Sequence, residues 1–462
     1  MGFTKLSNKY IKIQLINPPV SKGFSQPTRA ACFPPLDLLS LATYLQENNK
    51  FCEIEVLDGS VLSLEEILRR LNAEIVGISP KVFSYENALI IAQRAAEKGA
   101  KVFLGGVWAS AIAKNILKNR SFIDGVVRGD GEDALLALSK NKKYSDVPGL
   151  VYRKGHNIIF NKLKTVDLNY LPIIDYNIIN INTYFENYRK KFSEHPFRRP
   201  MSIYSQKGCS WYDKSGGCIF CCNRFTYNRR KSPLRFWCEI QYMIKNYDTD
   251  LIWDVSDTFT EPKKWVEAII ASKPSNIDCS FYVYGRASNI DETMVSLLKS
   301  LGCFEILIGV ESGNDKILQE ANKGIKRKMI INAVKLCSYY EIKVFPTFVF
   351  GLPGEDENSI EDTLSLAEEL MKFGNIEEIT SSILLPLPGS RIFDMLCKRL
   401  NYPPWLVEDD LLDLAKIQNI YIELFTKVKI EDLLIANKEL SSLVKENKRS
   451  SFGLIEYRDN KF

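Results

Sequence analysis

Four of the chain's 11 cysteines lie between Gly208 and Cys222, in the stretch GCSWYDKSGGCIFCC, where glycines let the backbone turn tightly around a small inorganic group. Cysteines bunched in this way, without a recognisable secretory signal, read as metal or cluster ligands rather than as a disulfide framework. A structural zinc site takes four closed ligands, yet no second C-x2-C and no H-x3-5-H follows. The two histidines, His156 and His195, form no such pair, and His156 reads as a polar residue beside a turn. Cys222 adjoins Cys221, and neighbours in one turn rarely converge on one ion. Cys209, Cys218 and Cys221 are therefore the expected metal ligands. Cysteine thiolates hold iron–sulfur clusters, and a four-iron cluster with three protein ligands leaves one iron open to a substrate. Ligand count favours the cluster and leaves zinc as the alternative.

A chain of 462 residues exceeds one ordinary domain, and 45% hydrophobic with 25% charged residues describes a globular protein with ample core. A formal net charge of +5 is too mild to argue for nucleic acid, and no apolar run reaches the length of a membrane span. Cysteines kept reduced fit a cytoplasmic setting.

The elements that must position the cysteines come in two alternating series. From Ile11 to about Lys140, the strand-like runs KIQLIN, CEIEVLD, EIVGIS, KVFLGG and DGVVRG alternate with amphipathic segments, predicting a doubly wound parallel sheet. Ser63 with Glu66 forms a capping box, and Ser84 is placed as a helix N-cap. Ligands of such sheets lie across the carboxyl ends of the strands. Small or turn-forming residues stand at five successive tips: Asn17 and Pro18, Asp58 to Ser60, Ser79, Gly105 and Gly106, and Gly129 to Glu132. They imply a large flat ligand pressed against backbone, with plain helix-entry turns as the alternative. The absence of G-x-G-x-x-G after the first strand makes a dinucleotide a poorer choice.

Residues 148–166 read as a hairpin turning at Lys154-Gly155, and Asp167 to Pro200 as a weakly periodic linker. A second alternation, MSIYSQ, LIWDVS, CSFYVYG, EILIGV, VFPTFVFG and TSSILLPL, makes six βα units, enough for a partial parallel barrel. Barrel active sites sit at the carboxyl ends of strands, and the cysteine stretch follows the first of these six. The expected division is 1–145 for the first sheet, 146–200 for hairpin and linker, 201–400 for the barrel and 401–462 for a helical region with no readable motif.

Along roughly residues 10–400 the chain resembles the radical S-adenosylmethionine (SAM) enzymes that carry an N-terminal cobalamin-binding domain. INPP, FPPLDLLSLATYL, IVGIS, SYENAL, VFLGG and VVRGDGE resemble the cobalamin domain, while DVSDTFT, GRAS, IGVESGN, FVFGLPGED and ILLPLPGS resemble successive tips of the catalytic barrel. The resemblance implies a Rossmann-like α/β domain followed by a partial (β/α)6 barrel, with a [4Fe-4S] cluster, SAM and cobalamin as cofactors. Cys209, Cys218 and Cys221 would bind three irons and SAM would chelate the fourth. Asp257, Arg286, Glu311, Ser312, Gly351, Gly354 and Leu385 would lie against SAM, the two glycines letting backbone approach its adenine. Asn17, Pro18, Ser79, Gly105, Gly106, Gly129 and Glu132 would contact cobalamin. A plainer reading pairs Glu311 with Arg286 across the barrel mouth.

Two departures stand out. The family usually shows C-x3-C-x2-C, whereas eight residues, Ser210 to Gly217, separate the first two cysteines here. Some members acting on ribosomally made peptides share such a gap, and Trp211 and Tyr212 within it would line the substrate space. The D-x-H-x-x-G stretch of a histidine-ligated cobalamin is absent, which is usual in this family.

The resemblance implies a methyltransferase acting on an unactivated carbon of a peptide or small-molecule natural product through a 5′-deoxyadenosyl radical. An external one-electron reductant of flavodoxin or ferredoxin type would serve it, and neither nucleic acid nor membrane is expected as a partner. A radical rearrangement, cyclisation or cleavage is the alternative within enzymes, and a cobalamin- or redox-sensing binding protein the alternative outside them. Arg189, Lys190, Lys191, Arg198, Arg199, Arg224, Arg229, Arg230, Lys231 and Arg235 crowd around the cysteines, reading first as a solvated face and second as a dock for an anionic substrate. The remaining cysteines, Cys32, Cys52, Cys238, Cys279, Cys303, Cys337 and Cys397, read as core filler.

Overall fold

The computed structural model describes residues 10–222 and 227–444, so Arg224 lies outside the described residues. It divides into two compact units, the first made of the chain to Phe24, Ala30–Glu186 and Val407–Leu411, the second of Ser25–Arg29, Asn187–Leu406 and the chain from Leu412.

In the first unit the five expected strands all form: β1 (Ile11–Asn17), β2 (Cys52–Asp58), β3 (Ile75–Ile78), β4 (Lys101–Leu104) and β5 (Gly125–Val127). The predicted hairpin is β6 (Leu150–Lys154) and β7 (Asn157–Phe160), and it extends the same sheet antiparallel to β5, giving the order β2-β1-β3-β4-β5-β6-β7. Helices cover the strands, so Ile13, Leu15, Ile16, Val76, Val102 and Phe103 are buried on both faces, as parallel sheets require. Ser63 and Glu66 close the expected capping box. Ser84 makes no side-chain cap; its Oγ accepts from the Lys81 amide in the tight turn before the helix instead. The segment read as a linker holds more structure than its weak periodicity predicted. It contains the helix Ile181–Lys191, whose Tyr184 hydroxyl donates to the buried Asp58 at 2.6 Å. Val407–Leu411 belong to this unit because Asp410, wholly buried, accepts from Tyr85 Oη at 2.7 Å and Arg120 Nε at 2.8 Å.

The second unit is built on β8 (Pro200–Ile203), β11 (Leu251–Asp254), β12 (Ser280–Gly285), β13 (Cys303–Glu311), β14 (Lys343–Phe350) and β15 (Thr380–Ile383). They form a curled, wholly parallel half-barrel in the order β15-β14-β13-β12-β11-β8. Between β8 and β11 a two-residue ladder pairs β9 (Gln206–Lys207) with β10 (Arg229–Arg230). Every strand runs the same way, so one end of the sheet collects all the carboxyl-terminal tips. The other end is plugged by Arg29. Its guanidinium is buried between Glu378 Oε1 at 2.7 Å and Glu305 Oε2 at 3.4 Å, above the Tyr282 ring at 4.6 Å and the Phe192 ring at 5.0 Å.

Candidate active site

The cysteine loop leaves the half-barrel at the tip of β8 and returns through β10, so the β9/β10 ladder clamps its base. Gly208 sits at φ 89° with the Asn228 backbone so near that a Cβ would lie 2.7 Å from it, which no side chain permits. The Gly208 amide donates to Asp257 Oδ2 at 2.9 Å. Asp257 thus holds the residue before Cys209, which is how this exposed carboxylate meets the site. Below it, the wholly buried Asp254 accepts from the amides of Ser205 and Ser256 and from Ser256 Oγ, fixing the turn that launches the loop. Burial pushes the Asp254 carboxyl up, and these donors pull against it.

Cys209, Cys218 and Cys221 are half-buried and unbridged on this loop. The Cys221 amide donates to the Cys218 carbonyl at 3.2 Å, and Ile219 between them is held by Ala321 and Ile392 backbone. Among the described residues no three Cys, His, Asp or Glu side chains converge on a point that one ion could occupy. Cysteine thiolates are the ligands that hold iron–sulfur clusters. Three soft, accessible thiols on one clamped loop fit the cluster. Cys222 turns its sulfur towards the Leu387 carbonyl at 3.9 Å. His195 is buried beside Tyr188 Oη at 3.0 Å and stacked on Phe192, while His156 is exposed at the hairpin turn.

Arg286 and Glu311 both stand at strand tips, but they do not pair. Glu311 Oε1 accepts from Lys323 Nζ at 2.5 Å, whereas Arg286 donates to the Lys323 carbonyl and lies over the Trp211 ring at 4.9 Å. Burial disfavours the Lys323 ammonium, yet Glu311 and the nearby Cys218 sulfur outweigh it and raise its pKa. Glu311 adopts φ 65°, beside a register irregularity between β13 and β14, a strained backbone of the kind found at functional sites. Ser312, fully buried, shares a hydrogen bond with Thr363 Oγ1 at 3.2 Å and accepts from the Asn314 amide.

At the β14 tip, Gly351 and Gly354 have φ 83° and 80°, so both need glycine. The space at Gly351 is taken by Ile422, whose Cδ1 would lie 2.6 Å from an added Cβ. The helix Leu414–Phe425 therefore covers this tip: Tyr421 Oη donates to the Gly351 carbonyl and the Gly354 amide to the Phe425 carbonyl, each at 2.8 Å. Gln418 on the same helix caps the carbonyls of Ile383 and Leu384, just before the half-buried Leu385. Glu355, wholly buried, accepts from the Gly351 amide, and burial pushes its carboxyl up to about 8. Lys323, Gln418 and Tyr421 carry no sequence signal because they lie off the strand tips and become neighbours only through folding, whereas Glu355 sits within FVFGLPGED but shows its burial only in the fold.

In the first unit the tips are tied to one another. Asn17 Nδ2 donates to Asp58 at 2.7 Å, and a Cβ on Gly59 would strike the backbone of Pro18 and Pro19. Ser79 Oγ donates to Asp37 at 3.0 Å, and Gly106, at φ 84°, has room for no more than a tight contact with that hydroxyl. Gly105 precedes it in extended backbone, Gly129 has φ 74°, and Glu132 is buried against Ser40 Oγ at 3.3 Å. Asn17 and Ser79 bond to neighbouring side chains, and with the glycines they leave small groups and backbone along these tips.

Of the basic residues, Lys231 is buried against Glu239 at 2.5 Å and Arg235 pairs with the same carboxylate at 2.7 Å, so these two belong to the core rather than to a docking face. Among the cysteines assigned to the core, Cys238 is exposed and Cys279 half-buried; the other five are buried.

Residues 203–367 match the Radical SAM superfamily, and residues 28–139 match the B12 binding domain. An uncharacterized methyltransferase of Pyrococcus horikoshii is 25% identical over 403 residues, covering 84% of this chain and 83% of that protein. The anaerobic magnesium-protoporphyrin IX monomethyl ester cyclase of Rubrivivax gelatinosus is 23% identical over 409 residues, covering 84% and 70%. Among solved structures, the cobalamin-dependent SAM radical enzyme OxsB superposes with a TM-score of 0.67 at 16% identity, covering 90% of this chain and 66% of that one. The radical SAM methyltransferase TsrM from Kitasatospora setae superposes at 0.63 with 18% identity, covering 84% and 76%. The chain thus carries a B12-binding domain followed by a radical SAM domain in one polypeptide, the domain pairing of the cobalamin-dependent radical SAM enzymes it is similar to.

Proposed function

We propose that this protein is a cobalamin-dependent radical SAM methyltransferase acting on a carbon centre of a peptide or small-molecule substrate. The observation that carries the reading is the presence of both cofactor domains in one chain. When bound, the reduced cluster with SAM supplies a radical able to take hydrogen from an unactivated carbon, and cobalamin supplies a transferable methyl group. The protein's part is to hold and shield. Cys209, Cys218 and Cys221 hold three irons; Arg286, Glu311, Ser312, Gly351, Gly354 and Leu385 line the SAM side of the barrel mouth, and Asp257 steadies the loop. Asn17, Pro18, Ser79, Gly105, Gly106, Gly129 and Glu132 form the cobalamin side of the first sheet. A one-electron reductant of flavodoxin or ferredoxin type serves the cluster.

Methyl transfer is favoured by the relative named a methyltransferase and by TsrM. The relatives named as monomethyl ester cyclases favour a second reading, in which the same cofactors perform cyclisation without methylation. Anaerobically reconstituted protein incubated with SAM, hydroxocobalamin, a chemical reductant and a peptide or small-molecule panel decides between them by mass spectrometry. 5′-Deoxyadenosine together with S-adenosylhomocysteine and a product heavier by one methyl supports methyl transfer. A product of unchanged carbon count supports the second reading, and the absence of any SAM-derived product from cluster-loaded protein refutes both.

A further inference from the structure

The long gap between Cys209 and Cys218 raises a physical problem: a loop held only at its ends has more conformations to lose when its thiols bind, and lengthening it adds to that loss. Here the insert is held in its middle. Ser210–Ser215 winds into a short helix that Gly216 ends at φ 77°. Trp211 on that helix makes three contacts with one turn of chain and one strand tip. Its Nε1 donates to the Asn322 carbonyl at 2.8 Å, and its ring lies against Gly324, where an added Cβ would stand 2.3 Å from the indole. The Arg286 guanidinium covers the ring at 4.9 Å. Asn322 answers in the other direction, its Nδ2 donating to the carbonyls of Gly217 at 2.6 Å and Ser215 at 3.2 Å. Arg286 in turn donates to the Lys323 carbonyl, and Lys323 Nζ holds Glu311.

We infer that Trp211 is a positioning residue that sets the cysteine loop and the Arg286–Lys323–Glu311 array together, so that the cluster ligands and the SAM-facing strand tips keep one geometry. The inference rests on the reading that Cys209, Cys218 and Cys221 hold a cluster. Trp211, expected from the sequence along the substrate space, is held here against Asn322, Gly324 and Arg286.

Wild type, Trp211→Phe, Trp211→Ala and Gly324→Ala are reconstituted anaerobically as full chains. Each is assayed for iron and sulfide per chain and for the electron paramagnetic resonance spectrum of the reduced cluster during a SAM titration, with circular dichroism reporting the fold. Phenylalanine keeps the ring over Gly324 and under Arg286, and is expected to load iron as wild type does and to respond to SAM within a few-fold of its concentration dependence. Trp211→Ala and Gly324→Ala are expected to lose at least about half the iron, and the cluster that remains should need about tenfold more SAM for its spectral change. If Trp211→Ala fails to fold, Trp211→Leu against Trp211→Phe gives the comparison, since Gly324→Ala also strains a backbone at φ 69°. A folded Trp211→Ala or Gly324→Ala chain with full iron and an unchanged SAM titration overturns the role of Trp211 alone. A wild type that binds no cluster overturns the cluster reading and this inference with it.

Discussion

Replacing Arg29 by methionine removes the one guanidinium set between two buried carboxylates, Glu305 and Glu378, and leaves a side chain of similar length among Tyr282, Phe192 and Phe345. Breaking a buried pair on one side leaves uncompensated charge and typically destabilises by about 3–5 kcal/mol. The pH dependence follows from the groups present. Burial, then Glu378, pushes the Glu305 carboxyl up to about 7 from an ordinary 4.5, while Arg29 pulls it down. Between those values the folded chain binds more proton than the unfolded one, so stability falls as pH rises through that window. Without Arg29 the Glu305 carboxyl holds its proton to higher pH, and the retained proton widens the gap from wild type by up to about 1.4 kcal/mol per pH unit. Arg29→Met should therefore destabilise by about 3–5 kcal/mol at pH 8, and by roughly 1–3 kcal/mol less at pH 6. Scanning calorimetry of the full chain at both pH values reads this as a transition lowered by roughly 3–8 °C at pH 8 and by clearly less at pH 6. A loss under about 1 kcal/mol at pH 8, or one equal at both pH values, would refute the claim that this guanidinium is the compensating charge.

Three further outcomes are expected. Cys222→Ala keeps its iron after anaerobic reconstitution, because that sulfur faces the Leu387 carbonyl, whereas Cys218→Ala loses most of it; iron and sulfide assays decide. Glu355→Gln gains stability relative to the wild type as pH rises from 4.5 towards 7, by up to about 1.4 kcal/mol per pH unit, since burial pushes the carboxyl up to about 8 and the amide needs no proton to stay neutral there. The wild type, but not this variant, should lose stability as pH rises from 4.5 towards 8, the range in which the folded carboxyl keeps a proton that the unfolded one releases. Gly351→Ala destabilises by about 1–3 kcal/mol, because its φ disfavours a side chain and its Cβ would strike Ile422; adding Ile422→Val, which removes the Cδ1 atom it strikes, returns the steric part of the loss in thermal unfolding.

By itself the sequence determined the architecture and the chemistry it serves. Parallel strands buried on both faces read as apolar runs, their helices as periodic segments, and three cysteines in one stretch as cluster ligands, because these are local signals that neighbouring residues carry. The tertiary structure alone decided which groups meet. Glu311 pairs with Lys323 rather than Arg286, a choice between residues at two strand tips and a turn beyond one of them. Arg29, an unremarkable basic residue between proline-rich segments, becomes the plug at the amino-terminal ends of the half-barrel strands. The helix Leu414–Phe425, in the region without a readable motif, covers the β14 tip through Tyr421 and Ile422. Such pairings lie far apart along the chain, and only packing determines which long-range partner satisfies a buried polar group or fills the space beside a glycine. The cysteine stretch carries both lessons. Its three candidate thiols are written in the residues, whereas the hold on its insert depends on Trp211 reaching a turn more than a hundred residues away.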